Sequence, residues 1–112
     1  MTDDQREWGD IGTTLLFEND RVRVWELRLE PGERSDRHHH RHDYVMIQLE
    51  GDEISAEFEP DSEDAFGGAT FPDRTIAGPV APGSVVWGGA GGKETAVNIG
   101  TATFREIVVE LK

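Results

Sequence analysis

The chain has 112 residues, the size of one domain, with 23 acidic against 11 basic side chains and a net charge of −12. That charge repels phosphate backbones and anionic lipid, which excludes nucleic acid and membrane surfaces as partners. Without cysteine there is no disulfide framework and no thiolate metal site. No apolar run nears the ~18 residues of a membrane span, and the acidic start "MTDDQREWGD" is neither a signal nor a transit peptide, so a cytoplasmic protein is expected.

Residues 1–12 read as a loosely ordered lead-in to a single domain spanning 1–112. After them come short runs rich in valine, isoleucine and aromatics, divided by glycine, proline and acidic clusters. These predict strands near 13–17, 21–29, 37–50 (with a bend inside), 53–58, 69–71, 84–88, 94–99 and 103–111. Many short strands with turn signals between them make an all-β sandwich or barrel. "EGDE" at 50–53 suits a tight hairpin, "GPVAPG" reads as a turn, and "GGAGGK" at 88–93 as a flexible connection. "DYVMIQL" is apolar on both faces, so it lies between two layers or between the core and a partner chain. In "FREIVVEL", alternation groups Ile107, Val109 and Leu111, with Arg105 in phase, and sends Glu106 and Glu110 toward water.

All four histidines fall in "HHHRH", His38 to His42. Residues two apart on a strand point the same way, so His38 and His40 project together and His39 projects oppositely. Two imidazoles at that spacing can grip one metal ion, and neutral imidazole suits iron, zinc, nickel, copper or manganese. The competing reading is an exposed strand that happens to be histidine-rich. Parity groups His42 with the pair unless the chain turns first. There is no phosphate-cradling loop before a helix and no G-x-S-x-G elbow, so nucleotide binding and serine hydrolase chemistry find no support.

The segment "PGERSDRHHHRHDYVMIQLEG" resembles the first motif of the cupins. Gly32 is followed by five residues, then His38-x-His40, and Gly51 closes the stretch at the family's spacing. The form is similar to small single-domain cupins, including those associated with β-alanine degradation. "APGSVVW" and "KETAVNIG" resemble the second motif, with Asn98 at its asparagine position. The resemblance implies a double-stranded β-helix (jelly-roll-type) barrel, a homodimer and a divalent transition metal (Fe, Mn, Zn or Ni). Cupin metals are usually held by three histidines and a glutamate. Here Tyr44 stands at the glutamate position and Glu94 at the third histidine.

The implied metal set is then His38, His40 and Glu94, with His42 or Tyr44 as an adjustable extra, and two histidines plus a carboxylate is a competent set. Tyr44 could ligate as phenolate or assist proton transfer as a catalytic residue. Met46 and Gln48 share its face and line the expected substrate pocket, with Trp25, Trp87 and Arg105 as further lining residues. Arg105 would meet a substrate carboxylate. The function expected is a small metal-binding cupin acting on a small carboxylate or amino-acid-like metabolite, of dioxygenase, isomerase or decarboxylase/lyase type. The alternative is a non-catalytic metal- or metabolite-sensing cupin that has lost part of its metal site.

Overall fold

The computed structural model describes residues 8–63 and 74–112, and the strand expected near 69–71 lies outside them. The elements are β1 (Thr14–Glu18), β2 (Val22–Leu29), β3 (His38–His39), β4 (Asp43–Glu50), β5 (Glu53–Phe58), β6 (Thr75–Pro79), β7 (Val85–Gly88), β8 (Lys93–Val97) and β9 (Phe104–Leu111). They form a five-stranded sheet, β1-β2-β9-β4-β7, and a four-stranded sheet, β3-β8-β5-β6. Every strand pair is antiparallel. Among the described residues there is no helix, hence none long and apolar enough to cross a membrane.

The inner face of the five-stranded sheet is set by β2, where Trp25, Leu27 and Leu29 are buried and alternate with Val24, Glu26 and Arg28. Leu27, Leu29 and Phe104 form one core cluster, joined by Ile54, Val80 and Ala96. Ile11, Trp25, Tyr44 and Val108 form the other, with Met46 against it.

Register carries that parity into β9 and corrects the reading of it. Leu29, Leu27 and Trp25 pair with Phe104, Glu106 and Val108. The buried set on β9 is therefore Phe104, Glu106, Val108 and Glu110, while Ile107 and Val109 are half-buried on the outer face. The two glutamates point into the molecule. Polarity misled the sequence reading, because three apolar side chains outvoted two, yet the cross-strand ladder leaves one parity once β2 is placed.

Three connections also differ from expectation. β4 and β5 belong to different sheets, so "EGDE" is a corner between layers and not a hairpin. There Gly51 takes a φ of 130°, and a side chain on it would crowd Phe104. The Asp52 carboxylate ties the corner down, accepting from Thr101 N at 3.0 Å and Thr101 Oγ1 at 2.8 Å. Those hydrogen bonds hold its carboxyl down at about 2. The turn expected at "GPVAPG" overlaps the end of β6, "TIAGP", a strand not among those predicted; it is an edge strand on β5 and Pro79 closes it where no ladder donor is required. The 88–93 connection is pinned, since Gly91 N donates to His40 O at 2.7 Å and Ala90 N to Asp43 Oδ1 at 2.9 Å. The lead-in expected to be loose is also held over its described part: Gly9 N donates to Arg37 O at 2.9 Å, Arg37 stacks 3.8 Å above the Trp8 ring, and Ile11 is in the core.

Candidate metal centre and adjoining cavity

The 37–50 run splits where it crosses between sheets. His38 and His39 pair with Glu94 and Lys93 on β8, and Tyr44 onward pairs with β9 and β7. The ladder to β8 continues one residue further through His40 N, which donates to Gly92 O at 2.8 Å. His38 and His40 are thus fixed facing inward beside Glu94, while His39 faces out, as alternation requires.

His38, His40 and Glu94 are all buried, and each offers a ligand atom within 4.8 Å of the others. The His38 Nδ1 lies 2.8 Å from the Asp36 carbonyl. A carbonyl only accepts, so Nδ1 carries the proton and Nε2 keeps the lone pair a metal needs. His40 Nε2 is 3.0 Å from Glu94 Oε1, a spacing two ligands would have around one ion at bond lengths of about 2.0–2.2 Å. Burial lowers the His38 pKa, and His40 lowers it further; a neutral imidazole is the ligating form. Burial alone would raise the Glu94 carboxyl, but the hydrogen bond from His40 and the charges of the two imidazoles outweigh it and hold it below its usual value. The donor set fits a divalent transition metal. Among the described residues His40 Nδ1 is buried without a hydrogen-bond partner, and the Tyr44 hydroxyl has Glu94 as its nearby polar group, a sign of a polar centre that the protein groups alone leave incomplete.

Tyr44 stacks on the His40 ring, with centroids 3.9 Å apart and planes 14° apart, and is fully buried. It lines neither cavity at the centre. Burial, with the Glu94 and Glu106 carboxyls, pushes its phenol far above the usual range. In this position the ring forms a wall against the His40 imidazole, and its raised pKa keeps the phenol protonated, as a proton donor must be. Its partner across the ladder is Gly88, where any Cβ would overlap the tyrosine ring. His42 also departs from expectation. Once the chain leaves β3, parity no longer applies, and His42 lines a separate cleft of about 240 Å³ with Trp8, His39, Arg23 and Trp25.

Beyond Glu94 lies a cavity of about 360 Å³ between the edge strands β6 and β7. Met46 and Gln48 line it as expected, with Ile54, Ala56, Ala96 and Val86. Three other expected lining residues do not. Trp87 is on the outer face, 56 % exposed, because β7 places Val86 and Gly88 inward. Arg105 is likewise outside, 2.7 Å from Glu26 and 3.4 Å from Glu50. Trp25 is core, its indole donating to the buried Glu110 at 2.8 Å. The residue the sequence reading missed is Glu106. It lines the cavity and the metal cluster together, and burial, with the Glu94 charge, pushes its carboxyl up to about 8. The signal was present in Trp25: a buried indole N–H needs an acceptor, and β9 presents Glu110 on the face that also carries Glu106.

No protein-family model and no curated protein matches the sequence. Solved structures do. A cupin domain from Bordetella pertussis Tohama I superposes with a TM-score of 0.71 at 22 % identity, covering 88 % of this chain and 90 % of that one. The chain has the cupin fold. A cupin 2 conserved barrel domain protein from Salinispora arenicola CNS-205 is similar at TM-score 0.57 and 16 % identity, over 88 % and 82 % of the two chains. A sugar phosphate isomerase from a cupin superfamily of Silicibacter pomeroyi DSS-3 is similar at 0.55 and 24 %, over 83 % of this chain and 52 % of that one. Within the cupin fold, the His38, His40 and Glu94 cluster sits between the two sheets at the inner end of the cavity.

Proposed function

We propose that the chain is a metal-binding, small-molecule cupin in which His38, His40 and Glu94 hold one divalent transition metal, iron, manganese, zinc or nickel. The observation that carries this is the convergence of those three buried ligand atoms within 4.8 Å at the floor of a cavity. Such an ion supplies Lewis acidity toward an oxygen of the ligand. Asp36 sets the His38 tautomer, Tyr44 fixes the His40 plane, and the proton between His40 Nε2 and Glu94 is what an ion displaces. Three protein ligands leave coordination positions open, the arrangement of catalytic rather than structural centres. That favours an enzyme of dioxygenase, isomerase or lyase type over a sensing module.

Among the described residues the cavity's titratable lining is Glu94 and Glu106, with no lysine or arginine, so only the ion itself would offer positive charge to a ligand.

The proposal extends to a homodimer. Phe17, Val24, Val109, Val45 and Trp87 are successive register partners across the outer face of the five-stranded sheet. At its margin Arg105 is neutralised between Glu26 and Glu50, so two acidic chains can meet there without opposing bare charges.

Metal analysis of untagged protein purified without a nickel column tests the central reading. We expect about one equivalent in the wild type and under about one-tenth in His40→Ala. Less than that tenth in the wild type rejects it.

A further inference from the structure

The cavity's walls are apolar, so its few polar groups decide what it holds. Glu94 is engaged by His40, but Glu106 is not engaged at all. It is 7 % exposed, projects from β9 into the cavity, and has no hydrogen-bond partner among the described residues. An unpartnered buried carboxyl is costly, and native proteins complete such groups with a ligand or ordered water.

Its inward register partner on β4 is Gln48. The Gln48 Oε1 accepts from Ala81 N at 2.9 Å. That bond fixes which end of the amide is which, because a backbone N–H can bond only to the oxygen. The Gln48 NH₂ is left as the donor of a side chain that lines the same cavity as Glu106. The two side chains together make a polar end with both an acceptor and a donor, set in walls of Met46, Ile54, Ala96 and Val86.

We propose that Glu106 and Gln48 are the specificity pair of this cavity. They select an uncharged, mainly apolar small molecule bearing one group that both donates and accepts hydrogen bonds, such as a hydroxyl or a carboxamide. This rests on reading the cavity as the ligand site of the proposed metal centre. The carboxamide of such a ligand gives its N–H to Glu106 and takes the Gln48 N–H at its carbonyl oxygen. An anion can take the Gln48 N–H but brings no donor of its own, and it meets the Glu94 carboxylate at the inner end of the cavity. A cation meets an acceptor but leaves the Gln48 donor facing an apolar wall or an ammonium.

The test uses four probes of one shape, benzamide, benzyl alcohol, benzoate and benzylamine, titrated by NMR into EDTA-treated protein and again after zinc loading. In both states benzamide and benzyl alcohol are expected to bind at least about tenfold more tightly than benzoate and benzylamine, since unmatched buried polar groups discriminate strongly. Gln48→Leu and Glu106→Leu each remove most of the preference for benzamide. Glu106→Gln keeps an acceptor and a donor and holds benzamide affinity within about threefold, which separates specificity from a folding defect. Benzoate or benzylamine binding as tightly as benzamide overturns the proposal. So does an absence of benzamide binding near its solubility limit, or an unchanged preference in both leucine variants. Because the order of probes is read in metal-free protein too, a failure of the metal centre shows as lost zinc stoichiometry with the order intact.

Discussion

Glu106 is the residue whose environment departs furthest from its sequence reading, and its protonation has a consequence for stability. Folding raises its carboxyl from the ordinary 4.5 to about 8, so the folded chain holds that proton more tightly than the unfolded chain does. The stabilisation is complete below about pH 4.5 and is lost as the pH climbs through about 8. Glu94 runs the other way: its lowered pKa contributes above the ordinary value and is lost as the pH falls. Glu106→Gln is neutral throughout. In EDTA-treated protein it should therefore gain on the wild type as the pH rises from about 5 to 9, by on the order of 2–4 kcal/mol. Thermal melts of both proteins across that range check this, and parallel curves would show that Glu106 is solvated. At this scale His38, His40 and Glu94 were legible in the sequence, because spacing within β3 and alignment to the second motif each locate a side chain. Tyr44 and Glu106 were not, because their roles depend on what lies across the ladder.

Among the elements, the strand pattern was largely readable, since Val, Ile and aromatic runs between glycines and prolines mark strands whatever their partners. What escaped was pairing. Alternation assigns two faces to β9 but cannot say which is inner, and the choice was made by Trp25, Leu27 and Leu29 on β2. The edge strand β6 escaped because an edge tolerates the proline and glycine that elsewhere end a strand. Asn98 shows how the second motif holds elements together. Its Nδ2 donates to Leu29 O and Ala102 O, both at 2.9 Å, and its Oδ1 accepts from Gly100 N at 2.9 Å. It ties the end of β8 to β2 and to the turn before β9. Asn98→Ala leaves two carbonyls and an N–H without partners and should cost about 2–4 kcal/mol in urea unfolding. A loss under about 0.5 kcal/mol would mean that water replaces the side chain freely.

For the whole molecule, the outer face of the five-stranded sheet carries Trp87 and Val85 at 56 % and 67 % exposure, large apolar groups that a monomer leaves in water. The proposed dimer covers them. Light scattering should report twice the chain mass for the wild type and the single-chain mass for Trp87→Glu, with the cavity and its ligand set untouched; a wild-type monomer at tens of micromolar contradicts the dimer. The proposed metal ligands His38, His40 and Glu94 lie on the β3–β8 side, facing Glu106 and Val108 of the other sheet, and an ion bound only by the folded chain stabilises the fold. At a hundredfold excess over Kd the gain is about 2.7 kcal/mol, a rise in Tm on the order of 10 °C for a domain of this size. The most direct test is a thermal-shift titration of EDTA-stripped protein with zinc and manganese, in parallel with Glu94→Gln and His40→Ala. Saturation of the shift at one ion per chain in the wild type, with little or no shift in either variant, is the expected result. A wild-type Tm that does not move, or variants that respond as the wild type does, would contradict the metal centre.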